Sequence, residues 1–221
     1  MVNIAIDGPS GAGKSTLARA VAKKLGITYI DTGALYRAIG LYMLRAGIEP
    51  GDAASVVPAL SGVKLTMSPG SEQRVFLSDE DVTPYIRTDE VSRAASSVSA
   101  IPEVRTFLLS LQRDIAKVQS VVMDGRDIGT VILPDADVKI FLTASAEKRA
   151  ERRWKELTER GEKVTYEEIL SSQRQRDERD STRKTAPAVP ADDAVLFDNS
   201  SLNAEETVER AVGIIEERLK K

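Results

Sequence analysis

The stretch Gly8-Pro-Ser-Gly-Ala-Gly-Lys-Ser15 limits what this chain can fold into more than any other. It follows an apolar run, Val2 to Ile6, that reads as a buried strand. It precedes a segment carrying Leu17, Val21 and Leu25 at helical spacing. The pattern G-x-x-x-x-G-K-[ST] between a strand and a helix is that of a phosphate-binding loop. Glycines let the backbone curl so that successive amides point inward at phosphate oxygens, where side chains would obstruct them. Lys14 has the length to reach β and γ phosphates, and Ser15 can give its hydroxyl to a magnesium ion. The helix that starts here aims its positive end at the same anion. Gly8, Pro9, Ser10, Gly11, Ala12, Gly13, Lys14, Ser15 and Thr16 are therefore the expected nucleotide-binding residues.

Short apolar runs alternate with amphipathic ones along most of the chain. Gly26 ends the first helix, Thr28 to Asp31 reads as a strand, and a helix follows over about 33–46. Val121 to Asp124, Val138 to Leu142 and Ala194 to Phe197 are further strands. Ser145 caps a helix over 145–160, and Thr165 to Glu168 is a capping box opening another. The closing helix has Asn203 and Glu206 as its cap and Val208, Val212, Ile215 and Leu219 as its stripe. This alternation predicts an α/β fold, a parallel sheet of about five strands flanked by helices. One stretch breaks the rhythm: from Val63 to about Ile86, alternating residues around a Ser-Pro-Gly-Ser turn predict antiparallel hairpins, a small β-rich insert.

Composition removes whole classes of chemistry. The 221 residues contain no Cys and no His, which excludes thiol nucleophiles, disulfides, the usual zinc sites and imidazole bases. Carboxylates, Lys, Arg, hydroxyls, backbone amides and oxygen-bound metals remain. A net charge of −3 gives no global field for polymeric nucleic acid. No run approaches the roughly 18–20 apolar residues that span a bilayer, and the N-terminus lacks a signal pattern. The expected setting is cytoplasmic. No [NT]-K-x-D follows the loop, which speaks against a guanine-reading switch.

Phosphoryl transfer asks the protein mainly to place the acceptor in line and screen its charge. An acceptor that is itself a phosphate is already anionic and needs no general base, which suits a chain without histidine. It does need arginines, whose planar forks pair with phosphate. Arg37, Arg105, Arg126 and the cluster Arg174, Arg176, Arg179 and Arg183 supply them. In a helix from Thr165 onward, Arg176, Asp180 and Arg183 share one face by spacing. That face holds phosphate and ribose hydroxyls, or is a solvated salt-bridged surface. Asp124, at the C-terminal end of a strand, is a candidate to organise magnesium, or else a turn-initiating Asp before Gly125. A P-loop kinase of another small acceptor (UMP or a sugar acid) and a non-catalytic ATP-binding regulator stay open at this point.

Five stretches together resemble the bacterial-type cytidylate kinases: IAIDGPSGAGKST (4–16), YIDTGALYRA (29–38), RTDEVSRAASSVSAIPEVR (87–105), DGRDIGTVILPDADVKIFLTAS (124–145) and RDERDSTRKTAPAVPADDA (176–194). The resemblance covers essentially the whole chain. It implies a P-loop NTPase fold over 1–221, with a CMP-binding insert at 62–98 and a short helical lid at 150–163. It implies transfer of the γ-phosphate of ATP, with Mg2+, to CMP or dCMP. By the same resemblance Thr32 and Arg37 grip the CMP phosphate, and Ser96, Arg105 and Asp127 read the cytosine edge. Arg176 and Asp180 take the ribose, while Arg126 and Arg183 contact phosphate. Lys14, Arg126, Asp127 and Arg183 are the expected catalytic set, and Ser15 and Asp124 the metal pair. Arg152, Arg153 and Arg160 of the lid are expected to screen the transferring phosphate, with Trp154 packing rather than stacking. The chain is expected to work as a monomer.

Overall fold

The computed structural model describes residues 1–68 and 73–220. The chain divides into two compact units, Ile27–Val121 with Met1, and Val2–Gly26 with Val122–Lys221. A parallel five-stranded sheet runs in the order β2 (Thr28–Asp31), β6 (Val121–Asp124), β1 (Asn3–Asp7), β7 (Val138–Thr143), β8 (Val195–Asp198). A separate antiparallel sheet comprises β3 (Leu65–Ser68), β4 (Arg74–Leu77) and β5 (Glu80–Asp81). The insert is β-rich as expected; of its predicted turn, Pro69 to Ser71 lie outside the described residues.

In the second unit, Ile4, Ala5 and Ile6 of β1 are fully buried, as a strand covered on both faces requires. β1 pairs in parallel with β7, Ile6 facing Ile140, and β7 pairs with β8. Helix α1 (Lys14–Leu25) follows the glycine-rich loop and stops at Gly26, which is left-handed and returns its N–H to the Ala22 carbonyl. Helices α6 (Ala146–Glu159) and α7 (Tyr166–Thr182) pack through Ala150, Leu157 and Ile169. The expected capping boxes at Thr165 and at Asn203 are both formed, opening α7 and α8 (Ala204–Leu219).

The first unit is built on α2 (Thr32–Arg45), capped by the Asp31 side chain. Around it lie α3 (Ala53–Ala59), the small sheet, α4 (Asp89–Val98) and α5 (Pro102–Val118). Leu35, Ile39, Met43, Val56, Val82, Ile86, Val98, Val104 and Leu108 form one core. Each such side chain contributes about 1.5–3 kcal/mol by leaving water. Small residues, Gly40 on α2 against Ala94 and Ala95 on α4, let these two helices come close.

Four expectations change. Leu219 is 39% exposed, and the buried stripe of α8 is Thr207, Ala211, Val212 and Ile215. The last strand starts one residue later than expected, at Val195. Trp154 is 41% exposed, so its packing is only partial. Arg183 is not on the face of α7: the helix ends at Thr182, and Arg183 is its extended C-cap. Among the described residues no helix is long and apolar enough to cross a membrane.

Candidate active site

Within the second unit, the loop after β1 is shaped by what holds its carbonyls. Gly8 has φ +143°, and a Cβ there would lie 1.9 Å from the Leu142 carbonyl oxygen, so only glycine lets the loop leave the sheet here. Lys14 Nζ donates to the Pro9 carbonyl at 2.7 Å, Arg149 Nη1 to Ser10 at 2.9 Å and Asn199 Nδ2 to Ala12 at 3.1 Å. A trans peptide points its N–H opposite to its C=O. Fixing these three carbonyls therefore turns the amides of Ser10, Gly11 and Gly13 the other way, the orientation that a phosphate-binding loop requires.

Lys14 is buried, 6% exposed. Burial, then the Arg126 charge, pulls its pKa well below the ordinary lysine range, while Asp124 and Asp7 pull it back up. Ser15 Oγ donates to Asp124 Oδ2 at 2.8 Å, joining the start of α1 to the end of β6. Two oxygen donors meeting beside a phosphate loop suit magnesium, which completes its shell from water and phosphate oxygens.

Next to this pair three of the predicted arginines, Arg126, Arg176 and Arg183, gather around buried carboxylates, whereas Arg174 points away to pair with exposed Glu147 at 2.6 Å. Arg126 Nε donates to Asp180 Oδ2 at 3.2 Å, and Arg176 Nε lies 3.9 Å from the same oxygen. Arg183 Nη2 lies 3.6 Å from Asp127 Oδ1. Asp127 and Asp180 are 3% and 8% exposed, so both carboxylates hold guanidiniums in place at low dielectric.

Asp7 was no candidate in the sequence reading, yet it shapes this cluster. Its two oxygens accept the amides of Ile128 at 2.8 Å and Gly129 at 2.7 Å, just after Arg126 and Asp127. Those amides open a π-helical turn, Ile128–Ile132. Burial pushes the Asp7 pKa up to about 6, against the opposing pull of the two amides. Arg149 was missed as well: its guanidinium also binds the Ala144 carbonyl at 2.9 Å and Asp177 of α7 at 2.7 Å. A strand-end Asp before a P-loop was the one available signal for Asp7; nothing in local spacing marks Arg149.

A cleft of about 210 Å³ opens beside the loop, lined by Gly13, Thr16, Leu17, Arg152, Asn199 and Thr207 among others. Arg152 donates to the Asn199 side chain at 3.3 Å and to its carbonyl at 2.9 Å. Arg153 and Arg160 both bind Glu156, at 3.0 and 2.6 Å.

The remaining predicted residues belong to the first unit. Thr32, 3% exposed, is the first residue of α2, and Arg37 one turn on donates to Asp31 at 2.7 Å. Ser96 on α4 is buried and its Oγ makes no hydrogen bond. Arg105, in the first turn of α5, is 8% exposed, donates to the Ser99 carbonyl at 3.2 Å and lies over the Tyr36 ring at 5.4 Å.

The family model for cytidylate kinase matches residues 4–217. A cytidylate kinase of Caldanaerobacter subterraneus subsp. tengcongensis is 51% identical over 99% of this chain and 96% of its own. One of Carboxydothermus hydrogenoformans is 49% identical over 97% of each. An uncharacterized protein of Eubacterium ventriosum ATCC 27560, whose crystal structure is known, superposes over 98% of this chain and 99% of its own. Its TM-score is 0.53 at 12% identity, a likeness of fold alone. The resemblance read from the five stretches is thereby borne out, and the chain belongs to the cytidylate kinase family.

Proposed function

We propose that this nucleoside monophosphate kinase transfers the γ-phosphate of MgATP to CMP or dCMP, giving ADP with CDP or dCDP. The supporting observation is the assembly of Lys14, the Ser15–Asp124 pair and Arg126, Arg176 and Arg183 about buried Asp127 and Asp180. In this reading the loop amides and Lys14 hold the β and γ phosphates. The cleft beside Arg152 receives the adenine. Magnesium held by Ser15 and Asp124 would neutralise phosphate charge and polarise the transferring group.

Arg126 and Arg183 screen the repulsion between the two phosphates, and Thr32 and Arg37 grip the acceptor's own. Arg176 and Asp180 take the ribose hydroxyls. Ser96, Arg105 and Asp127 read cytosine, whose exocyclic amino group is a donor where uracil offers an acceptor. A buried carboxylate at position 127 rewards that donor and repels the carbonyl oxygen that uracil presents in its place. The acceptor oxygen is anionic, so no protein group has to remove a proton, consistent with a chain without histidine. Residues 62–98 act as the acceptor insert and 150–163 as the lid. Arg153 and Arg160 leave Glu156 to meet the transferring phosphate, and one chain suffices for the site.

A coupled ADP-release assay with ATP, magnesium and a panel of acceptors tests this. CMP and dCMP are expected to exceed UMP, AMP and sugar acids by about 10²-fold or more in kcat/KM. Equal rates across the nucleotides would remove the cytosine reading and leave the kinase.

A further inference from the structure

Asp31 ends β2 and caps α2, but capping uses only half of its carboxylate. Oδ1 accepts the Ala34 amide at 3.0 Å. Oδ2 accepts from two guanidiniums, Arg37 at 2.7 Å and Arg87 at 3.1 Å. The carboxylate has little freedom to move. Asp31 is 5% exposed, and the Gln73 side chain clamps its backbone on both sides, accepting the N–H at 2.7 Å and donating to the carbonyl at 3.1 Å. Arginines from two segments, α2 and the turn before α4, thus converge on one fixed oxygen.

The arrangement exceeds what holding the fold requires. Two cations against one anion leave a surplus positive charge, and the guanidiniums repel each other. One arginine would already neutralise the carboxylate. Each contact is made through Nη2 alone, so each fork keeps donors for a further partner. The Nε of Arg37 is buried and makes no hydrogen bond. A Cβ on Gly33 would lie 3.1 Å from Asp31 Oδ1 and 3.2 Å from Arg37 Nη1, so glycine keeps this side of the pair clear. The Arg87 side chain is 55% exposed and reachable from solvent.

We propose that Arg87 is a second guanidinium of the acceptor-phosphate site, aligned beside Arg37 by Asp31. The proposal rests on the reading of Arg37 as a contact to the CMP phosphate. A dianionic phosphate balances the surplus charge and takes the donors that Asp31 leaves over.

The test compares CMP with cytidine, which lacks the phosphate. In Arg87→Gln, the KM for CMP is expected to rise about tenfold or more, the loss of one charged hydrogen bond. Inhibition by cytidine and the KM for ATP are expected to stay within about twofold, with the unfolding midpoint checked alongside. Arg87→Lys is expected to restore only part of the effect, because an ammonium lacks the planar fork. If Arg87→Gln leaves CMP unaffected while Arg37→Gln weakens it, Arg87 has no such role and the reading of Arg37 stands. If CMP and cytidine weaken together, Arg87 only supports the fold. If neither variant affects CMP, the phosphate role of Arg37 fails too.

Discussion

Lys14 keeps its ammonium 2.7 Å from the Pro9 carbonyl in a buried setting that disfavours its charge. A triphosphate in the loop reverses that balance, because an anion favours the protonated form. The lysine is thus poised to gain interaction energy as phosphate charge arrives, and most where charge builds during transfer. Lys14→Ala is expected to lower kcat by about 10²–10³-fold with the unfolding transition retained; steady-state turnover and a thermal melt check it, and near-normal turnover would refute the role. Lys14, Ser15 and Asp124 were legible in the sequence because a local motif and a strand end name them. Asp31, Arg87 and Asp7 were not. Their meaning lies in partners up to 122 residues away, as for Asp7 and Gly129, and no spacing rule reaches that far.

Helices α6 and α7 carry an element-scale device. Arg149 points its planar fork in three directions, to Ala144, to Ser10 of the phosphate loop and to Asp177 of α7. Gln173 of α7 adds a bond to the Arg149 carbonyl at 3.3 Å. The helix bearing Arg176 and Asp180 is therefore tied to the glycine-rich loop for which ATP is proposed. Arg149→Lys cannot make the three contacts at once, and it leaves Asp177, 24% exposed, without its guanidinium. The expected loss is about 2–3 kcal/mol, less than for a fully buried pair, together with a raised KM for ATP. Urea unfolding and kinetics measure both, and a variant with wild-type stability and ATP affinity would rule the tie out. Helices with caps and apolar stripes were legible. α4 and α5 were not read, although Val91, Ala94, Ala95 and Val98 recur at helical spacing behind the Thr88 cap and Pro102 opens α5, so the local signals were present. The π-helical turn after Asp127 has no sequence signature; the Asp7 carboxylate stabilises it by taking its first two amides.

At the scale of the whole molecule, stability against pH sets Asp7 against the surface. Glu80, Asp81, Glu147, Glu151, Glu168, Asp193 and Asp198 are held below their ordinary pKa by hydrogen bonds, so each contributes stability that fades as pH falls. Asp7 works in the other direction. Its pKa rises from 3.8 in the open chain to about 6 in the fold, so between those values the folded state binds a proton that the unfolded state has released. Its contribution is complete below 3.8 and is lost as pH climbs through about 6. A shift of about two units corresponds to about 3 kcal/mol. Asp7→Asn removes the titration but leaves the surface carboxylates in place, so subtracting the two proteins isolates this one group. Asparagine must also turn an NH2 toward one of the two amides, a cost that does not vary with pH and only offsets the curve. The difference in unfolding free energy, wild type minus variant, is expected to fall by about 2–2.5 kcal/mol from pH 4 to pH 7. Urea titrations of the ligand-free protein at half-unit steps would trace it. A difference that is flat or rises over that range would mean the Asp7 carboxylate is ionised throughout, held by the Ile128 and Gly129 amides more strongly than burial opposes it.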